Sequence, residues 1–161
     1  MRPIVRALVL ASALTGSSPL FAEDLVVSDL KAFSARMAAA TQRCDADTVV
    51  DRVSPLATIS GTGFAQGDMR MFRMNKAQYG QSVALSCTFT SYAYERTNEQ
   101  ISIDGDQATI TADVAETIVH KGQRHSVKYR EKAIVELIDG KLMLVQLLAN
   151  LTEQNVAAVE K

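Results

Sequence analysis

The side chains of this sequence that are equipped for acid–base chemistry cluster between residues 92 and 131. Asp113 lies midway along an alternating stretch, on the face shared by Thr109, Thr111 and Ala115. If that face lines a pocket, burial raises the pKa of Asp113 and makes it a general base; if it faces water, Asp113 is a solvated carboxylate. Successive strand residues point to opposite sides, so Ile110, Ala112 and Val114 take the other face. Glu116 and His120 share the phase of Val114 and Ile118, and Glu131 that of Val127, Tyr129 and Ala133. An acid beside an imidazole near a strand end can transfer protons or hold a ligand, or simply form a salt bridge at a hydrated rim. Tyr92 and Tyr94 fall on one strand face, as an aromatic wall with hydroxyl handles or as plain packing. The candidate catalytic groups are thus Asp113, Glu116 and His120. The candidate ligand contacts are Tyr92, Tyr94, Glu116, His120, Tyr129 and Glu131.

Other chemistries are poorly served. Met69, Met71 and Met74 form a thioether cluster of the type that suits Cu(I), but Arg70 and Arg73 interleave and disfavour a further cation. His120 and His125 are the only histidines, and there is no C-x-x-C spacing, so a zinc site is not expected. No nucleophile elbow or phosphate loop occurs, and no cofactor is implied. Lys128, Arg130 and Lys132 make a basic ladder, either a solvated outer sheet face or a surface for an acidic partner.

These residues need elements to position them. Val26, Leu30, Phe33, Met37, Ala40 and Cys44 make one apolar stripe, which predicts a helix over about 24–43. Asp47 is expected to cap a second short helix that Pro55 stops. Residues 56–60 read as a short strand, and Gly61, Gly63 and Gly67 as an irregular loop. Asn75 and Gln78 have capping-box spacing for a third helix running to about Ser86. From Cys87 the period falls to two, with turns at Asp104-Gly105, Lys121-Gly122 and Asp139-Gly140, and a last strand from Lys141 to about Leu151. Helices followed by an antiparallel meander is an α+β order.

The first 22 residues carry an address. Arg2 and Arg6 precede a short apolar core over 4–14 that is too short to span a bilayer, and small and breaker residues follow before Phe21-Ala22. This is the layout of a cleaved signal, so export to a bacterial periplasm is expected, without a membrane anchor. The expected division is 1–22 signal peptide, 23–151 a single domain and 152–161 a polar C-terminal tail. Removing Arg2 and Arg6 moves the formal net charge from −1 to −3, which argues against nucleic-acid binding. In an oxidising compartment Cys44 and Cys87 are expected to pair, the alternative being two buried thiols.

The pattern resembles the nuclear transport factor 2-like superfamily, including its polyketide cyclase-like and ketosteroid isomerase-like branches. The resemblance is carried by the long first helix, by Met74-Asn75-Lys76-Ala77-Gln78-Tyr79 opening the third, and by Ile103-Asp104-Gly105-Asp106-Gln107-Ala108 and Ile138-Asp139-Gly140-Lys141 between strands. It implies N-terminal helices packed in a strongly curved antiparallel sheet, a cone with a pocket at its open end. It also implies a possible homodimer through the sheet. The isomerase branch's catalytic tyrosine and aspartate set has no clear match. The expected function is therefore non-catalytic binding, of a small apolar molecule in the cone or of a protein partner on the sheet. The alternative is a small-pocket isomerase, cyclase or hydrolase using Asp113 or Glu116/His120. Buried acids with shifted pKa values in a sizeable cavity would favour the enzyme.

Overall fold

The computed structural model describes residues 25–65 and 68–159. The expected signal peptide, residues 1–22, lies outside the described residues, as does Gly67.

The first helix, α1, spans Val27–Gln42 and buries Leu30, Phe33 and Ala40 of the expected stripe. Val26 stands at its N-cap position, 49% exposed, so the stripe begins one turn later than read. At the other end Cys44 takes a left-handed φ of 52°. The Asp45 N–H donates to the Ala40 carbonyl and the Cys44 N–H to Thr41, a Schellman closure made without glycine. Helix α2, Ala46–Asp51, is capped by Asp45 rather than Asp47: the Asp45 carboxylate accepts from the Thr48 N–H at 3.1 Å and its hydroxyl at 2.6 Å. The Schellman turn sets this start: its last N–H is that of Asp45, the residue directly before α2, whose carboxylate folds back on Thr48.

Strand β1, Val53–Ala65, and β2, Asp68–Met74, replace the expected short strand and loop. Pro55 is tolerated because β1 bulges between Val53 and Thr58, where no ladder N–H is required. Gly61 sits inside β1 for space: a Cβ there would meet the Ala149 carbonyl at 2.2 Å. Helix α3, Lys76–Ser86, opens with the Asn75/Gln78 capping box, both bonds 3.0 Å long. Its Gly80, buried, lets α3 approach α2, since a Cβ would meet Val50 Cγ2 at 2.4 Å.

Strands β3 (Ser91–Asp104), β4 (Gln107–His120), β5 (Gln123–Ile138) and β6 (Lys141–Ala158) follow as a meander. The last two hairpins turn on two residues of positive φ, Lys121-Gly122 and Asp139-Gly140. The six-stranded sheet has the order β2-β1-β6-β5-β4-β3. All neighbours are antiparallel except β1 and β6, which run parallel, a pairing the sequence does not suggest. The expected tail is also corrected: residues 152–158 continue β6 and pair with the start of β5, Ala158 facing Gln123.

Bulges bend this sheet around the helices. On β3, Asn98 and Glu99 together oppose Ala112, with Asn98 at φ 52°. On β6, Val145 and Thr152 are the extra residues. The core fills the concave side, where Leu30 and Val49 meet Ile59, Ile110, Val135 and Leu144. No helix among the described residues is long and apolar enough to cross a membrane.

Candidate functional site

Beyond the apolar core, the concave face encloses a cavity of about 340 Å3. Its polar wall follows from register. On β3 the period of two brings Tyr92 and Tyr94 to the same side. Tyr94 pairs with Glu116 on β4, Glu116 with Val127 on β5, and Val114 with Tyr129, so Tyr129 lies diagonally beside Glu116. Glu131 follows one step deeper, opposite Ala112. Helix α3 closes the facing wall with Tyr79, Ser82, Val83 and Ser86, one helical stripe, while β1, β2 and β6 add Ile59, Phe72, Met74, Leu147 and Ala149. All four tyrosines of the chain therefore line one cavity.

Glu116 accepts a hydrogen bond from the Tyr92 hydroxyl at 2.9 Å. Burial pushes its carboxyl above the ordinary range, and hydrogen bonds from Tyr92 and Tyr129 hold the rise in check. Burial also drives up Glu131, against the pull of Arg96, whose guanidinium donates to Glu131 at 2.9 Å. Arg96 also donates to Glu99 at 2.6 Å and to the Ser34 hydroxyl on α1, which in turn donates to Glu99. The Asn98 bulge makes this possible: it shifts the strand's phase so that Glu99 joins Arg96 on the inner side. All four tyrosine hydroxyls are raised by burial and stay neutral donors.

Tyr92, Tyr94, Glu116, Tyr129 and Glu131 thus meet in one place, whereas Asp113 and His120 do not. Asp113 lies on the outer face, where it accepts from Arg130 at 2.6 Å and from Asn98 at 2.8 Å. The Arg130 and Asn98 hydrogen bonds hold its carboxyl below the usual range, the opposite of what a general base at neutral pH needs. His120 is exposed and packs edge-on against Phe89, with ring centroids 5.5 Å apart, at the last residue of β4. Its phase is inward, but the strand has by then run past the cavity wall. The basic ladder also lies outside, with Lys128 paired to Glu153 at 2.8 Å. The methionine cluster is split, since Met71 is exposed and Met74 faces the cavity.

Tyr79, Ser82, Ser86, Phe72 and Arg96 were missed as site residues. Two signals could have found them. Tyr79, Ser82, Val83 and Ser86 recur at helical spacing, and Arg96 continues the phase of Tyr92 and Tyr94.

No family model matches the chain, and no curated protein matches it by sequence. Solved structures do match by shape. The beta subunit of benzoate 1,2-dioxygenase from Burkholderia mallei superposes with a TM-score of 0.62 at 14% identity, over 81% of this chain and 93% of that one. An NTF2-like protein with a cystatin-like fold from Novosphingobium aromaticivorans gives 0.61 at 14% identity, over 78% and 81%. A protein of unknown function with a cystatin-like fold from Nostoc punctiforme gives 0.57 at 16% identity, over 80% and 95%. The described architecture and these likenesses agree: this chain has the α+β cone of the nuclear transport factor 2-like, cystatin-like fold.

Proposed function

We propose that this protein is an exported domain that binds a small molecule in its cone. The carrying observation is the cavity itself: about 340 Å3, with four tyrosines, Phe72 and two acids converging on it. Small-molecule sites are concave, mostly apolar and furnished with a few directed polar groups, at volumes from roughly 300 Å3 upward. A cone filled with side chains would have pointed instead to a partner on the outside. Export rests on the layout of residues 1–22. The outer sheet face, with its Asp113–Arg130 and Lys128–Glu153 pairs, is left as the surface for a homodimer or a protein partner.

Glu116 supports a second reading. A buried carboxyl of raised pKa at a cavity wall, held by a tyrosine hydroxyl, is suited to passing a proton to or from a bound molecule. His120 and Asp113 take no part in this version, which narrows the enzymatic alternative to Glu116.

Native mass spectrometry of protein prepared from the periplasm tests the binding reading. A bound mass is expected on the wild-type chain and not on Val127→Trp, which fills the cavity from β5. A wild-type chain that carries nothing, and whose melting temperature no member of a broad small-molecule library raises, would refute the reading. If a ligand is found converted, loss of turnover with retained binding in Glu116→Gln assigns the proton transfer.

A further inference from the structure

We propose that the cavity takes an organic cation: a protonated amine on an apolar body, seated among the tyrosines beside Glu116. The inference rests on the reading of the cone as a small-molecule site and names the chemistry of its guest.

The first argument is charge. Three carboxylates, Glu99, Glu116 and Glu131, turn to the inner side of the sheet, and the Arg96 guanidinium is bonded to two of them, Glu99 and Glu131. Both arms of that guanidinium are engaged, by Glu131 on one side and by Glu99 and Ser34 on the other. Among the described residues, no Lys, Arg or His lines this cavity. Among the described residues, then, Glu116 is bonded by hydroxyl donors and by no cation, although a buried carboxylate is costly without a counter-charge. A positively charged guest supplies what the chain leaves out. An anionic guest would meet Glu116 and Glu131 and be repelled.

The second argument is the direction of the hydrogen bonds. Tyr92 gives its proton to Glu116. Ser82 gives its own to the Tyr79 carbonyl at 2.7 Å, and Ser86 to the Ser82 carbonyl at 3.1 Å. These donors are spent inside the protein, Ser86 also bonding the Tyr92 hydroxyl, and the acceptors left to a guest are the Glu116 carboxylate and the Ser82 oxygen. An ammonium, with N–H donors and no acceptor, complements those acceptors. The third argument is the aromatic lining. Rings attract cations through their negative faces, and the effect grows when water is excluded.

The test compares three probes that share one body, 2-phenylethylammonium, 2-phenylethanol and 3-phenylpropionate, by calorimetry on the full exported protein. The ammonium is expected to bind about tenfold or more tightly than the alcohol, and the carboxylate weakest. Its affinity should climb as Glu116 loses its proton. Tyr92 on β3, Tyr129 on β5 and Tyr79 on α3 stay neutral across that range, so Glu131 is the other group whose charge bears on the titration. Glu116→Gln should cut the ammonium's advantage over the alcohol about tenfold and flatten most of the pH dependence, the remainder belonging to Glu131. Tyr94→Leu, a second variant, should weaken the ammonium more than the alcohol. An alcohol or carboxylate that matches the ammonium overturns the inference and leaves the binding reading standing. Failure of all three probes also overturns it, with the binding reading then judged by the co-purified mass.

Discussion

Glu116 is pulled two ways, and the balance makes a measurable stability profile. Burial favours its neutral form, so the folded-state pKa stands above the model-peptide value of 4.5. Between 4.5 and that raised value the native chain holds more protons than the unfolded one, and stability falls as pH rises through the window. Glu116→Gln keeps an acceptor for Tyr92 and cannot ionise. We expect it to stabilise the protein at neutral pH, by about 1.4 kcal/mol for each unit by which the pKa is raised, with the gain vanishing below about pH 4.5. Denaturant titrations across pH read this directly, and a gain that persists in acid would assign it to packing instead. Much at this scale was legible beforehand. Period-two alternation put Glu116 on the apolar face of its strand and Asp113 with the threonines on the other, Tyr129 with Glu131 on one face of theirs, and Tyr92 with Tyr94 on one face of another. That these faces meet is shown by the strand register. The alternation says nothing of where along the strand a cavity begins and ends, which is why His120 had the right phase and the wrong position. Nor does it announce a bulge: Asn98 looks like any polar strand residue until its φ is known.

At the scale of elements, legibility followed locality. The Asn75/Gln78 box and the glycine turns are decided by a few adjacent residues, and they form as read. Strand β1 is decided by β6, which pairs with it from the far end of the chain, so Gly61 and Gly63 looked like a loop. Asp45 outcompetes Asp47 as a cap because the Schellman turn before it places its carboxylate, and that turn uses Cys44 where glycine is expected. Cys44 then also bridges Cys87, tying the end of α1 to the residue after α3. The bridge spans a sequence separation of 43, for which chain-entropy reasoning gives about 4 kcal/mol. The double variant Cys44→Ser/Cys87→Ser should lose stability of that order in denaturant melts. It should also weaken ligand affinity, because Ser82 and Ser86 lie in the last turns of the helix the bridge secures. Unchanged affinity would mean that the capping box and Gly80 contact hold α3 in place without it.

For the whole molecule, the strands that build the cavity wall run well past the apolar core, and the far end of β6 is part of that extension. Gln154 lines the cavity, and residues 153–158 cover the start of β5. A chain ending at Leu151 would keep the core residues Leu144 and Leu147 but strip the partner from 123–128. We expect it to fold with a near-native far-ultraviolet spectrum, to lose ligand binding, and to self-associate through the uncovered β5 edge, measured by sedimentation. Retained binding in a monomeric truncated chain would show that these residues are the dispensable tail their polarity suggested.

The parallel contact between β1 and β6 has a consequence for time as well as shape. Strands β3 to β6 are joined by tight turns, and each hairpin closes over a few residues, an event of microseconds. Strand β1 must instead wait for β6, with β2, α3 and three further strands lying between them in the chain. Such a non-local closure carries a large entropic cost before it is rewarded, and it sets a slow step. Ile59 on β1 and Leu147 on β6 both face the cavity, and they are paired partners across this seam. We therefore expect the cavity to be the last part of the molecule to assemble, a half-folded chain having a sheet without a binding site. In refolding, recovery of ligand affinity should lag behind recovery of β-structure by the lifetime of that open seam.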